Sequence, residues 1–143
     1  MHMKWTLLRK GSLLLLAVCA LLLLAACAQA SDSSGVAVDE KSSYFMDFTV
    51  EDQTVTVSCH YTLVNNTGKA QTVQIRGDFT EDRKLGLVTE SVLLAQDSDG
   101  STYFPLPAGK TELDVAFVGT YGGTHMKENR LLPVTEIRIT AGE

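Results

Sequence analysis

The chain begins with a continuous apolar run and then changes to an alternation of apolar and polar residues. The run occupies residues 13–26 and follows three basic residues, Lys4, Arg9 and Lys10. A helix needs about 20 apolar residues to cross the hydrocarbon core of a bilayer, so this run is too short to span one. Its length and its basic flank match a secretory signal peptide. We therefore predict that residues 1–26 form a cleaved signal peptide.

From Tyr44 onward the alternation has a period of two, which is typical of β-strands with one buried face. It is clearest over residues 54–64 and resumes over residues 71–79. The intervening Asn-Asn-Thr-Gly-Lys suits a tight turn, because Asn and Gly tolerate positive φ. The two segments therefore predict a β-hairpin. Its predicted inward residues are Val55, Val57, Cys59, Tyr61, Leu63, Val73, Ile75 and Phe79.

Further segments continue the strand pattern. They cover residues 44–50, 101–106, 111–119 and 133–140, with Leu113, Val115, Phe117, Ile137 and Ile139 inward. Pro105 lacks a backbone donor and is expected on an edge strand. Residues 84–96 fit both a helix and a strand, and their length and β-branched content favour a strand. The pattern predicts an all-β fold over residues 44–143, an antiparallel immunoglobulin-like β-sandwich of about six to eight strands.

The segment between the apolar run and the first of these strands is small, polar and free of aromatic residues. A flexible chain of 16 residues, Ala28 to Ser43, spans roughly 20 to 25 Å from end to end. We therefore expect residues 27–43 to tether the domain. A short first strand over Gly35 to Val38 is the alternative for the end of this segment.

The junction between the run and the tether reads Leu-Ala-Ala-Cys and ends at Cys27. This sequence resembles the lipobox of bacterial lipoproteins. The resemblance implies a diacylglyceryl group on the thiol of Cys27, cleavage between Ala26 and Cys27, and an N-acyl chain as a further addition. Two or three acyl chains anchor a protein stably, whereas one holds it only marginally. An ordinary signal peptide cleaved after Ala28 or Ala30 is the alternative.

The layout of the whole chain resembles small extracytoplasmic lipoproteins of bacteria that carry a single immunoglobulin-like domain. The matching features are the lipobox, the tether, Tyr-x-Leu-x-Asn-x-Thr-Gly at residues 61–68, and Pro-Ala-Gly-Lys at residues 107–110 ahead of a Phe-containing strand. The resemblance implies a domain held by its lipid on the extracytoplasmic side of the cell membrane, or in the outer membrane of a two-membrane host. It implies no catalytic residues.

The net charge argues against one class of partner, and the number of cysteines argues against a disulfide. After residue 26 the chain has nine basic and 17 acidic residues, a net side-chain charge of −8. No basic patch remains to neutralise a phosphate backbone, so a nucleic-acid partner is not expected. Once Cys27 is lipidated, Cys59 has no cysteine partner and no disulfide can form within the domain. We expect Cys59 to be a buried core thiol.

Candidate chemistry is sparse. The chain has no nucleophile elbow, no phosphate-binding loop and no paired metal-binding cysteines, so we expect neither an enzyme nor a cofactor or metal. His60 and His125 lie in different segments and are expected at the surface. Residues 96–101, Gln-Asp-Ser-Asp-Gly-Ser, place Asp97 and Asp99 like the first ligands of a calcium loop, but the later ligands are missing. A turn is favoured there, and calcium bound with Glu81 or Asp82 is the alternative.

The strongest binding candidate is the connection over residues 119–130, which has three glycines and no periodicity. It carries four residues of types that make contacts: Tyr121, His125, Met126 and Arg130. Long loops at the end of a rigid sandwich often bind partners. A flexible or self-packed loop without a partner is the alternative.

These observations favour a membrane-anchored, non-catalytic domain that binds a protein or a glycan, or that serves as an accessory to an envelope complex. Two alternatives remain open. One is a small ligand-binding or inhibitory lipoprotein that acts through residues 119–130, and the other is a purely structural component of the envelope.

Overall fold

The computed structural model describes residues 35–125 and 130–140. The predicted signal peptide, Cys27 and Met126 lie outside this part. The described residues form eight antiparallel strands and one short helix. These are β1 (Val36–Val38), β2 (Tyr44–Glu51), β3 (Thr54–Asn65), β4 (Gln71–Asp78), α1 (Thr80–Lys84), β5 (Val92–Gln96), β6 (Phe104–Leu106), β7 (Gly109–Thr120) and β8 (Val134–Thr140). The prediction of an all-β antiparallel sandwich is therefore confirmed.

The strands form two layers that share one strand. In the first layer, β3 pairs with β1 and β2 along one edge and with β7 along the other. In the second layer, β4 pairs with β8 along one edge and with β5 and β6 along the other. Because β5 also pairs with β7, it joins the layers into a nearly closed, barrel-like sandwich. On the opposite side, the β1–β2 edge faces β8.

The period-two pattern places the core as predicted. All eight inward residues of the predicted hairpin have no solvent exposure, and Val115, Phe117 and Ile137 are also buried. Leu113 and Ile139 are only half-buried at the margin of the core. Leu113 is less covered because β5 pairs with β7 only at Ala116 and Phe117, which leaves the first half of β7 as an edge.

An aromatic cluster fills the centre of the core beneath β4. The ring centroids of Phe79 and Phe117 lie 5.2 Å apart, and those of Tyr61 and Phe117 lie 6.4 Å apart. A Cβ at Gly77 would come within 2.8 Å of the Phe79 ring and 2.9 Å of the Phe117 ring. Position 77 therefore needs a glycine, because any side chain there would displace the cluster.

Two sequence-based boundaries need correction. The predicted tether ends earlier than Ser43, since β1 pairs with β3 and Val36 is fully buried. The alternative of a first strand over Gly35 to Val38 is thus confirmed, and the domain begins before Tyr44. In the ambiguous region 84–96, only Val92–Gln96 is a strand, and it follows helix α1 and an irregular stretch. The strand begins only at Val92, and the preceding Leu87 and Val88 are both buried, so this stretch lacks the alternation of a half-buried strand.

The edge position of Pro105 is confirmed, because β6 is the last strand of its sheet path and Pro105 lies opposite Thr72. Helices contribute little to the fold. Among the described residues, no helix has both the length and the apolar character needed to cross a bilayer.

Asn65 is a buried polar residue that ties together two turns at one end of the sandwich. Its side-chain nitrogen donates to the carbonyl oxygens of Lys69 (2.9 Å), Leu106 (3.1 Å) and Pro107 (3.2 Å). Its side-chain oxygen accepts from the backbone N and the Oγ1 of Thr67, at 3.0 and 2.7 Å. The β3–β4 turn and the β6–β7 turn are therefore held by one amide group.

We predict that Asn65→Ala lowers the free energy of unfolding by about 2 kcal/mol, because buried carbonyl groups would lose their donor. Urea denaturation followed by circular dichroism measures the change. Asn66→Ala is the matched control, since the side chain of Asn66 is exposed and the expected change is below about 0.5 kcal/mol. Equal losses in the two variants would contradict the role of Asn65.

Candidate functional site

An open groove lies between the β1–β2 edge and the segment that leads into β8. Its volume is about 580 Å³. Among the described residues, β2 pairs only with β3 and β8 pairs only with β4, so the two edges face each other without a strand between them. We call this feature the seam groove. One wall is formed by Val38, Glu40, Ser43, Tyr44 and Phe45, the other by residues 130–135, and Tyr61 also lines it.

The walls of the seam groove expose large apolar side chains. Leu131 is 87% exposed, Val134 is 77% exposed and Tyr44 is 56% exposed, and Met46 is 47% exposed on the same strand as Tyr44. Single exposed apolar residues are ordinary on a protein surface, but a contiguous group around a concave surface is typical of an interaction site. The groove is therefore the best candidate for binding on the described surface.

Tyr61 of β3 is fixed at the base of the groove. Its hydroxyl lies 2.9 Å from Oγ1 of Thr135, which also donates to the carbonyl oxygen of Pro133 at 2.8 Å. Burial raises the pKa of the Tyr61 phenol, and this effect outweighs the hydrogen bond between the phenol and Thr135. The phenol therefore stays protonated at neutral pH and serves as a structural contact rather than as an acid or a base.

Arg130, one of the predicted binding residues, is held inside the protein. Its Nη2 lies 2.5 Å from Oδ2 of Asp82, and the two side chains are only 12% and 13% exposed. Its guanidinium also lies over the ring of Phe79, 5.2 Å from the centroid. Arg130 therefore fastens the start of the 130–135 wall to helix α1. The ion pair also occupies Asp82, which the sequence had offered as a calcium ligand.

Tyr121 and His125, two further predicted binding residues, lie together at the end of β7. Their ring centroids are 5.2 Å apart. Tyr121 also pairs with Val88 and donates from its backbone N to the carbonyl oxygen of Gln53 at 2.8 Å. The predicted loop is thus anchored up to this point, and it brings Tyr121 and His125 together but not Arg130.

The segment after β7 lies against residues 86–90. Gly122 N donates to Leu87 O at 3.1 Å, and a Cβ at Gly122 would come within 2.4 Å of Gly86 O. Glu90 accepts from the backbone N and the Oγ1 of Thr120, at 2.8 and 2.7 Å. Burial raises the pKa of the Glu90 carboxyl, but these bonds outweigh it and the pKa lies below its usual value. The described part of the loop is therefore self-packed.

A polar cluster on the outer face of the first sheet adjoins the groove. His60 Nδ1 lies 2.7 Å from Oδ1 of Asp114, and the His60 ring stacks on Tyr44 with centroids 4.9 Å apart. Strand register creates the cluster, because His60 lies opposite both Tyr44 of β2 and Asp114 of β7. His60 is thus half-buried between its neighbours, whereas His125 is exposed. The cluster holds the Tyr44 ring at the rim of the groove.

The turn after β5 accounts for the acidic motif at residues 96–101. Asp97 Oδ1 accepts from the backbone N of Asp99 and of Ser101, both at 2.9 Å, and Gly100 has a φ of +82°. The carboxylate thus closes its own turn, as the favoured interpretation predicted. Within residues 35–125 and 130–140, no group of three or more His, Cys, Asp or Glu residues is arranged to hold a metal ion.

Cys59 is buried and unpaired with another cysteine, as predicted. Burial raises the pKa of its thiol to about 11, and the charge of Arg130 opposes the shift only partly. The thiol is therefore protonated and unreactive at neutral pH.

Sequence reasoning missed the residues that line the seam groove. Tyr44 and Val134 belong to strands that were predicted, but their outward positions gave no sign that they share a surface. Leu131 lies in a segment without periodicity. An apolar residue at an outward position was the one available signal, and it does not reveal which other residues lie nearby.

Comparisons with protein-family models, with curated proteins and with solved structures give no match to this chain.

We predict that Asp82→Leu lowers the free energy of unfolding by about 3 kcal/mol, because it leaves the Arg130 guanidinium buried without its counter-charge. The double variant Asp82→Leu/Arg130→Met should lose less than the sum of the two single variants, since no unpaired charge remains. Chemical denaturation of all three variants measures the coupling.

Glu81→Ala serves as the control for this cycle. It breaks an ion pair with Lys84 in which both side chains are largely exposed, so a change below about 0.5 kcal/mol is expected. The prediction fails if Asp82→Leu is no more destabilising than Glu81→Ala.

Proposed function

We propose that this chain is a lipid-anchored, extracytoplasmic lipoprotein whose domain binds a protein of the cell envelope without catalysis. The observation that carries the binding role is the seam groove with its exposed Tyr44, Leu131 and Val134. The lipobox at Cys27 supports the anchor. The domain would then present the groove on the outer side of the cell membrane, or within the envelope of a two-membrane host.

The chemistry of the groove favours a protein over a glycan as the partner. A saccharide site needs several convergent hydrogen-bonding side chains, whereas the exposed surface here is chiefly leucine, valine and tyrosine. Of the polar groups, Nη2 of Arg130 is already engaged by Asp82 and the Tyr61 hydroxyl by Thr135, which leaves Glu40 as the one exposed charged side chain among the described lining residues. Burying the apolar rim against a partner would gain about 25 cal/mol for each Å² removed from water.

The alternative role through residues 119–130 has less support. Tyr121 is partly buried against the core and Arg130 is held by an ion pair, so neither side chain is fully exposed to a partner. A purely structural role would leave the exposed apolar rim of the groove unexplained.

We expect Cys27→Ser to abolish lipidation and to move the protein from the membrane fraction to the soluble fraction. Metabolic labelling with an alkyne fatty acid, followed by fractionation of the cells, measures both effects. Cys59→Ser is the matched control and should keep its label, because the Cys59 side chain is buried. A Cys27→Ser chain that still carries lipid and stays with membranes would overturn the anchor.

We expect a photo-crosslinking side chain at position 131 to yield a discrete adduct with an envelope protein in intact cells. The same side chain at position 85 should yield none, since Leu85 is a 66% exposed leucine outside the groove. Val134→Asp should abolish the adduct at position 131, because it places a charge in the apolar wall. Adducts of equal yield at both positions, or a glycan adduct, would contradict a protein-binding groove.

A further inference from the structure

The strand register divides the domain into two opposite poles. The anchor pole consists of Gly35, residues 66–70, residues 107–110 and Thr140. These segments meet because Asn65 lies opposite Val36 and Gly109, and Asn66 N donates to Gly35 O at 2.8 Å. The chain coming from Cys27 therefore enters the domain at this pole.

The distal pole consists of residues 51–53, 78–91 and 120–125. Its segments meet because Thr54 lies opposite Thr120, Tyr121 pairs with Val88, and Thr124 N donates to Gly86 O at 2.9 Å. Strand β3 runs from one pole to the other over 12 residues. At about 3.3 Å per residue, the poles are roughly 36 Å apart.

Chain length excludes an inverted domain on the membrane. Eight residue steps separate Cys27 from Gly35, and a fully extended chain covers at most about 28 Å over that length. If the distal pole rested on the lipid, Gly35 would stand roughly 36 Å above it. The anchor could not reach so far, so the domain stands on its anchor pole, lies on its side or is held clear of the lipid by the tether.

The distribution of charge selects among these arrangements. The described residues of the anchor pole include two lysines, Lys69 and Lys110, and no carboxylate. Lys110 shares its charge with Asp39 at 2.9 Å, yet it remains 62% exposed. The distal pole carries six carboxylates and two basic side chains. With the paired Asp39 and Arg130 counted, the anchor pole has a net charge of +1 and the distal pole of −3, so an anionic lipid surface repels the distal pole and not the anchor pole.

We propose that the domain stands upright on the membrane, with its anchor pole against anionic lipid headgroups and its distal pole facing away. This inference rests on the proposed lipidation of Cys27. The seam groove then opens on the side of the domain, since Tyr44 lies opposite His60 in the middle of β3, and Val134 lies opposite Asp78 at the distal end of β4. A partner reaches the groove without displacing lipid.

The test uses the lipidated full chain reconstituted into vesicles of phosphatidylcholine and phosphatidylglycerol. An environment-sensitive fluorophore is attached through Ala70→Cys at the anchor pole or through Leu85→Cys at the distal pole. Cys59 does not compete for the label, because it is buried and its thiol pKa is about 11. A headgroup nitroxide lipid should quench the label at position 70 about fivefold more than the label at position 85, the preference expected for one lysine near an anionic surface.

Two charge variants separate electrostatic orientation from the constraint of the tether. Lys69→Glu should bring the quenching ratio close to one in anionic vesicles. Lys84→Glu changes an exposed lysine at the distal pole. In this variant the label at position 70 should still be quenched more than the label at position 85. Equal quenching at the two poles of the unaltered chain, or a ratio unaffected by Lys69→Glu, overturns the proposal.

The intact mass of the same sample distinguishes this inference from the proposed function. A chain that lacks lipid on Cys27 overturns both. A lipidated chain with equal quenching at positions 70 and 85 overturns the upright orientation alone.

Discussion

Strand β5 donates and accepts hydrogen bonds in both layers, and the form of the whole sandwich depends on this sharing. It pairs with β4 at its start and with β7 at its end, so one side of the sandwich is closed by backbone bonds. The opposite side has no shared strand among the described residues, and the β2 and β8 edges stay apart. The seam groove exists because of this asymmetry, since a second shared strand would fill it.

Buried polar groups stabilise the two poles of the sandwich, where turns rather than strands carry the backbone. Asn65 satisfies carbonyl groups of two turns at the anchor pole. Asp82 and Arg130 join helix α1 to the wall of the groove at the distal side. Each of these groups is strongly coupled to its partners, because an unpaired donor or charge in a low-dielectric interior is costly. The poles are therefore defined by a few specific contacts, whereas the centre is defined by apolar packing.

The proposed anchor, groove and orientation form one physical scheme. A lipid on Cys27 would hold the chain at the membrane, and the entry point at Gly35 together with the charges of the two poles would turn the anchor pole towards the lipid. The nearly closed sandwich fixes the position of the groove relative to that pole. Binding on the side of such a body needs no conformational change in the domain, which suits a receptor or accessory protein held close to a surface.

The sequence alone was sufficient to predict which face of each regular strand is buried. In β3, alternation identified each buried apolar residue from Val55 to Leu63, because the side-chain period of a strand is a local property. It also predicted the turn at Asp97, which depends on bonds to residues a few positions away. It predicted the burial of Cys59 as well, because Cys59 lies on the apolar face of its strand. The short strand β1 was harder to predict, because three residues carry too little periodicity and its stability comes from pairing with the distant end of β3.

The candidate site was decided by tertiary structure. Arg130 looked available in the sequence, but its ion pair with Asp82 joins residues 48 positions apart. Tyr44 and Val134 looked like unrelated outward side chains, and they share a groove only because β2 and β8 are edges that face each other. The sequence by itself thus determined which apolar side chains of the regular strands face the core and where a lipid anchor is expected, both of which depend on local pattern. Which exposed residues lie together depends on strand order, and strand order is set by contacts between distant segments that no local pattern encodes.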